Sequence, residues 1–365
     1  FLDKIPKSAA VNEGVNLAKR YGHKSSSGFV NAILRKVTKK DYEDFFEIKD
    51  PIERIQKTTS MPKWIIEELL NEGLELEKVE KICKDSNQRP KISIRANRLK
   101  TNPKELKEKL EQKQIKVEEG ILEDFLILNK VKNLEKLEEF KEGLFTVQDE
   151  AAGLTAIVLE PKQNETILDA CSSPGGKTTY IGEIVENNAN ILAWDIHKHR
   201  VLLVDKAAKR LGIDKIEIEV KDASKYEEKY KEKFDKILLD VPCLGLGVLK
   251  RKPDIKWQKK KEDIVEISKI QLEILNTCSK YLKEGGNLVY STCSILKEEN
   301  ENMIYKFLEK HPEFEIQKII LSNNNKIEKD NRNYFEKFLE KDGFLQVYQN
   351  EETDGFFICK LKKKG

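Results

Sequence analysis

Apolar positions change their spacing twice along the chain. Up to about residue 85 they recur at helical intervals. Ala9-Ala10-Val11, Val15 and Ala18 share one helix face, and Phe29, Ala32-Ile33-Leu34 and Val37 share another. Between them, Lys19-Arg20-Tyr21-Gly22-His23-Lys24-Ser25-Ser26-Ser27-Gly28 is a basic turn bounded by Gly and Ser. It suits a phosphate contact and a plain solvated loop equally well. Two helices bury little by themselves, so the stretch reads as the end of a helical domain whose beginning lies upstream. Phe1-Leu2-Asp3-Lys4 is neither a signal peptide nor an initiator start, and the natural N-terminus is expected before it. Asp50-Pro51 marks an expected boundary. Pro62 opens a further helix at its first position, with Trp64, Ile65-Ile66 and Leu69-Leu70 on its apolar face and Gly73 as its stop. Another helix is expected over 76–83.

The period then shortens to two. Ile92-Ser93-Ile94-Arg95-Ala96 alternates as a strand. A helix near 103–110 and strands near 115–117 and 125–128 complete a βαββ order. This small α+β module resembles an RNA-recognition motif in order but lacks its aromatic signature, so an adaptor or scaffold role is expected for its sheet. From Thr146 strands and helices alternate. Strands are expected at 167–170, 190–195, 216–220, 235–240 and 287–291, and a last one in Asp354-Gly355-Phe356-Phe357-Ile358-Cys359-Lys360-Leu361. Such alternation builds a doubly wound, mostly parallel α/β sheet, Rossmann-like, with ligands at the strand C-termini. Asp169, Asp195 and Asp240 close three of these strands, and Asp222 follows another by two residues. Four like charges at one edge repel unless a ligand or donors offset them.

The sharpest local signal is Ile167-Leu168-Asp169-Ala170-Cys171-Ser172-Ser173-Pro174-Gly175-Gly176-Lys177-Thr178-Thr179: buried strand, tight turn, helix start. Pro174 and Gly175-Gly176 let the backbone turn sharply and approach a ligand without Cβ interference. A phosphate-binding loop would need Gly at position 171, which is Cys, and Gly-x-Gly-x-x-Gly is absent. Asp-x-x-x-x-Pro-Gly-Gly-Lys after a strand reads instead as the first turn of an S-adenosylmethionine methyltransferase domain, with an ordinary βα turn as the plain alternative. Asp195, at the end of the second strand, is placed to accept ribose hydroxyls of a nucleoside cofactor, and Asp222 to take the adenine amino group.

Composition narrows the class. The 365 residues exceed one typical domain. Charged residues make up 36% and no apolar run approaches the roughly 20 residues that span a bilayer, so no membrane partner is expected. The net charge of +3, from 67 basic and 64 acidic residues, does not by itself require a nucleic-acid partner. Six Cys without Cys-x-x-Cys argue against a disulfide framework or a zinc site, and the cytoplasm is the expected compartment. His23, His197, His199 and His311 form no metal spacing, and no metal is expected. The His197/His199 pair is read as part of a solvated helix start.

Two cysteines stand apart. Cys243 lies just past the fourth strand, in Asp240-Val241-Pro242-Cys243, and Cys293 just past the fifth, in Ser291-Thr292-Cys293-Ser294. Adjacent strand ends would bring both thiols and Asp240 to one cleft. Cys83, Cys278 and Cys359 are read as small buried hydrophobes, and Cys171 as a packing or cofactor-loop residue. A methyltransferase acting on nitrogen or oxygen needs no thiol. Carbon 5 of a pyrimidine is a poor nucleophile, and a thiolate adding at carbon 6 activates it.

These residues together resemble the bacterial RNA cytosine-C5 methyltransferases, and most closely the small-subunit type B enzymes, the Sun or Fmu family. The matching segments are Val147-Gln148-Asp149-Glu150-Ala151, Asp169 to Lys177, Asp240 to Cys243, Gly247-Val248-Leu249-Lys250-Arg251-Lys252-Pro253-Asp254-Ile255-Lys256-Trp257, Ser291 to Ser294 and Asp354-Gly355-Phe356-Phe357. Residues 19–36 are similar to the last helices of a NusB-like RNA-binding domain. The resemblance implies a class I methyltransferase domain over 147–365, an RRM-like linking module over 51–146 and the end of a NusB-like domain over 1–50. It implies Cys293 as nucleophile, Cys243 as the group that assists breakdown of the adduct, and Asp240 as a contact of the cytosine ring. Cys171, Ser172, Ser173, Pro174, Gly175, Gly176, Lys177, Asp195, Asp222 and Asp240 would line the S-adenosylmethionine site. The implied substrate is 16S ribosomal RNA and the implied state a monomer. Leu244 departs from the Ser that often follows the Pro-Cys pair. The alternatives are a transfer-RNA cytosine as substrate, a non-catalytic NusB-like RNA-binding assembly factor, which the intact thiol pair speaks against, and a nucleotide hydrolase, which Cys171 disfavours.

Overall fold

The computed structural model describes residues 5–23, 25–129, 131–321 and 332–365. Phe1-Leu2-Asp3-Lys4 and Lys24 of the basic turn lie outside them. The chain divides into two compact units, Phe1–Glu67 and Glu68–Gly365.

The first unit holds α1 (Lys7–Tyr21), α2 (Ser26–Lys36), α3 (Lys39–Glu43) and α4 (Pro51–Thr59), and α5 (Lys63–Asn71) crosses the division. The two expected helices are present, and α1 packs along α2. Their apolar faces stay largely open: Val11 is buried, whereas Leu17 and Phe29 are 57% and 69% exposed. Two helices cannot close a core. Asp50 is an N-cap, accepting the Glu53 N–H at 2.7 Å, with Pro51 in the first turn, where its missing N–H costs nothing.

The second unit opens with α6 (Leu76–Asp85) and a small antiparallel sheet. Its strands are β1 (Ile92–Ala96), β2 (Lys116–Glu119), β3 (Phe125–Asn129) and β4 (Phe145–Val147), in the order β2-β3-β1-β4. α7 (Pro103–Gln112) buries Leu106 and Leu110 against Ile94, Leu126 and Phe145. The short α8 (Glu138–Lys141) precedes β4. β4 was not foreseen, because three residues carry too little alternation to register. Residue 147, the expected start of the last domain, is its final residue.

The large sheet follows α9 (Glu150–Leu159). In chain order come β5 (Thr166–Asp169), α10 (Gly176–Ile184), β6 (Asn190–Asp195), α11 (Lys198–Leu211), β7 (Ile216–Val220), β8 (Phe234–Asp240), α12 (Ile255–Gln258), α13 (Asp263–Cys278), β9 (Leu282–Thr292), α14 (Glu301–Leu308), β10 (Phe314–Ile316), α15 (Arg332–Glu336), β11 (Leu345–Val347) and β12 (Phe356–Lys363). The order is β10-β12-β9-β8-β5-β6-β7, with β11 on β12. β5 to β9 are parallel, and β10, β11 and β12 pair antiparallel. The three-residue β10 and β11 were also unforeseen.

Alternate residues serve opposite faces. Ile167 and Leu238 join Leu154, Ile157, Tyr180 and Ile181 on one side. Leu168, Ile237 and Leu239 join Trp194, Leu275 and Tyr290 on the other. The chain leaves β5 toward β6 and β7, then returns to β8 on the opposite side. This reversal opens a crevice at the C-terminal strand ends. Among the described residues, no helix is long and apolar enough to cross a membrane.

Candidate active site

The crevice has two sides. On the β5–β7 side, Asp169 is buried and its Oδ2 accepts the Thr178 hydroxyl at 2.6 Å. Its Oδ1 has no hydrogen-bond partner, and burial pushes the carboxyl up to about 7. The turn after it is fastened to β6: the Ser172 N–H and hydroxyl both donate to the Trp194 carbonyl at 2.8 Å. The Ser173 hydroxyl donates to the Arg200 carbonyl at 3.1 Å, and Pro174 follows a cis peptide bond. Gly175 sits at φ +104°, and a Cβ there would stand 3.1 Å from Val204 Cα, so both conformation and space call for glycine. Gly176 begins α10. Cys171 packs against the Leu168–Trp194 cluster, and burial pushes its thiol well up, which makes it a packing residue and a poor nucleophile.

At the ends of β6 and β7 the acids are held by near neighbours. Asp195 Oδ1 accepts the His197 N–H at 2.9 Å, and Oδ2 lies 3.4 Å from Arg200 Nε. Asp222 Oδ1 accepts the Ser224 N–H at 2.9 Å and its hydroxyl at 2.7 Å. The expected repulsion among the acids is therefore offset in large part by the chain's own donors. His197 caps α11 and stacks on His199 at 5.6 Å, both exposed, as a solvated helix start requires.

On the β8–β9 side, Asp240 stands opposite Ser291 in the parallel ladder. Its Oδ1 accepts the Ser291 hydroxyl at 3.0 Å and its Oδ2 the Lys177 ammonium at 2.7 Å. Burial alone would depress Lys177, but the Asp240 carboxylate beside it holds the ammonium above its ordinary value. Lys177 thus ties the β5 turn to β8. The Cys243 and Cys293 sulfurs lie 2.9 Å apart, half-buried, and both cysteines are free. Their shared hydrogen bond, with burial, pushes the Cys243 thiol well up. Gly247 explains its place in the motif. Its N–H donates to the Cys293 carbonyl at 2.8 Å, and its carbonyl accepts the Gly355 N–H at 2.8 Å. A Cβ on Gly247 would come within 2.2 Å of the Gly355 oxygen.

Several supporting residues were missed in the sequence. Arg95 of β1 is fully buried and reaches α10. It donates to Glu183 at 2.7 and 3.1 Å, to the Gly176 carbonyl at 2.8 Å, to the Thr179 hydroxyl at 3.1 Å, and to Gln148. A charged residue between Ile94 and Ala96 was the available signal. Arg251 pairs with Asp149 at 3.0 Å and with buried Asp354, linking three of the matching segments. Glu299, fully buried, touches both thiol loops, and fully buried Gln271 touches Glu299 and the Cys243 loop. Chemically, the edge offers carboxylates suited to a nucleoside on one side. On the other it offers a thiol pair with one carboxylate–ammonium pair.

Comparison with known proteins gives three family matches. A family model described as 16S rRNA methyltransferase RsmB/F matches residues 156–362. The NusB family matches residues 1–39. A Methyltr_RsmF/B-like, ferredoxin-like domain matches residues 61–135. The chain is 39% identical over its full length to a Bacillus subtilis protein named probable ribosomal RNA small subunit methyltransferase B, covering 80% of it. It is 35% identical to the ribosomal RNA small subunit methyltransferase B of Shewanella oneidensis, over 84% of this chain and 70% of that one. The crystal structure of the protein named PH0851 superposes with a TM-score of 0.80 at 31% identity, over 99% of this chain and 79% of that one.

Proposed function

The chain belongs to the RsmB/F family of 16S ribosomal RNA methyltransferases, and from that premise we propose that it methylates carbon 5 of a cytosine in 16S ribosomal RNA through a covalent thiol adduct. The methyl donor of such an enzyme is S-adenosylmethionine, which when bound supplies an electrophilic methyl carbon. The residues present fit that cofactor. Asp195 and Asp222 offer acceptors to ribose hydroxyls and an adenine amino group, Asp169 keeps one buried oxygen without a donor, and the Cys171–Lys177 turn passes close by.

One observation carries the C5 reading: two free thiols in contact, beside a carboxylate, at the ends of neighbouring strands. Nitrogen or oxygen methylation leaves such a pair without a task. The Cys293 thiolate forms a bond to carbon 6, and the π electrons of the C5–C6 bond shift onto the ring, making carbon 5 nucleophilic. Asp240 contacts the N3 edge, and the Lys177 ammonium held on its Oδ2 offsets the negative charge arriving there. After methylation, solvent water takes the carbon 5 proton, the C5–H electron pair re-forms the C5–C6 double bond, and the C6–S bond breaks with its electrons going to Cys293 as thiolate. Cys243 assists by re-forming its hydrogen bond to the leaving sulfur. The target cytosine must be unstacked to enter the crevice.

In this reading residues 1–50 are the end of an RNA-binding domain, 51–146 a linking module and 147–365 the catalytic domain, acting as a monomer in the cytoplasm. Bisulfite sequencing of ribosomal and transfer RNA from cells with and without the gene tests it. A protected cytosine in 16S rRNA that loses protection without the gene is the expected result. Loss in a transfer RNA would move the substrate, and no loss anywhere would reject C5 methylation.

A further inference from the structure

The thiol contact is not fixed by the sheet. The β8–β9 ladder ends where the Val241 N–H donates to the Ser291 carbonyl at 3.1 Å. Beyond it, Pro242-Cys243-Leu244 and Cys293-Ser294 leave β8 and β9 as separate loops. Besides the Gly247 N–H on the Cys293 carbonyl, one carboxylate bridges them. Glu299 Oε2 accepts the Leu244 N–H at 2.9 Å and Gln271 Nε2 at 3.1 Å, and Oε1 accepts the Ser294 hydroxyl. Gln271 Nε2 also donates to the Pro242 carbonyl at 2.9 Å. Asn300 accepts the Thr292 hydroxyl at 2.6 Å and donates to the Ser294 carbonyl at 3.1 Å. Each cysteine is thus bracketed by contacts on both sides.

A fully buried carboxylate is costly, and all three of its partners here are neutral donors. Burial pushes the Glu299 carboxyl up, and an apolar side chain would fill the space more cheaply, so its two acceptor oxygens, placed between the thiol loops, call for a reason.

We propose that Glu299, seated by Gln271, is a positioning residue that holds the two thiol loops in register. This rests on the thiol reading above. Nothing in the proposal requires Glu299 to touch substrate.

The test uses the full chain, S-adenosylmethionine and a 16S rRNA transcript carrying 5-fluorocytosine. Adduct formation is followed on denaturing gels, and cofactor affinity by calorimetry. Glu299→Ala removes the carboxylate bridge between the loops, and a displacement of about 1 Å costs on the order of 100-fold in rate; cofactor affinity should not change. Glu299→Gln keeps acceptors for Leu244 and Gln271 and can donate to the Ser294 hydroxyl. It should restore most of the rate. A wild-type rate in Glu299→Ala would overturn the proposal. So would a rate in Glu299→Gln as low as in Glu299→Ala, or a parallel loss of cofactor affinity that Gln does not rescue. Absence of an adduct in the wild type would instead reject the thiol reading, and the clamp with it.

Discussion

The two sides of the crevice are held by different means. On the β5–β7 side the acids take their donors from nearby in the chain: Asp169 Oδ2 from Thr178, Asp195 from His197 and Arg200, Asp222 from Ser224. On the β8–β9 side the contacts are long-range: Lys177 to Asp240, Cys243 to Cys293, Glu299 to Leu244. One side is a property of turns, the other of the assembled sheet. Damage to the first should cost cofactor binding and spare the thiols. Damage to the second should cost chemistry and spare binding.

Arg95 is the exception and gives the largest expected effect. It brings a long-range support to the β5 turn through Gly176, Thr179 and Glu183. Arg95→Ala removes the buried ion pair with Glu183 together with the bonds to Gly176 and Thr179, a change that typically costs about 3–5 kcal/mol. Urea unfolding should show a lower midpoint, accompanied by weaker cofactor binding. An unchanged midpoint would mean that the turn stands without β1. Next in size is Asp195→Ala. Loss of a charge-assisted contact costs about 1.5–3 kcal/mol, roughly 10- to 150-fold in affinity. Calorimetry measures it, and unchanged affinity would remove Asp195 from the site.

The smallest effect concerns Asp169. Its carboxyl is raised from 3.8 to about 7. The unfolded chain releases this proton near pH 4 and the folded chain near pH 7, so its contribution is complete below pH 4 and is lost as pH rises from there through 7. Asp169→Asn keeps the acceptor for Thr178 without a charge. It should already be the more stable protein at pH 6, and its advantage should grow by about 1–2 kcal/mol by pH 8. Thermal melts at the two pH values decide this, and equal shifts would show that Asp169 does not titrate in that window.

The same contrast explains what could be read from the sequence. The turn from Asp169 to Lys177, the strand-end acids and the adjacency of Cys243 and Cys293 follow from local pattern plus the rules of parallel sheets. β4, β10 and β11 escaped because three residues carry no period. Arg95 and Glu299 escaped because their partners lie in distant segments. The argument from four repelling acids overlooked donors one turn away. Leu244 shows the converse: the structure uses its N–H, toward Glu299, and buries its side chain, so a departure from Ser leaves that contact intact.

The central claim is that the two thiols divide the work, Cys293 forming the adduct and Cys243 releasing it. A denaturing gel with labelled 16S rRNA and S-adenosylmethionine tests it most directly. Cys243→Ala should give a slow-migrating protein–RNA band, because the adduct forms but breaks down slowly. Cys293→Ala should give no band and no methylation while still binding cofactor. A band from Cys293→Ala and none from Cys243→Ala would exchange the roles, and full activity without a band from both would contradict the thiol mechanism.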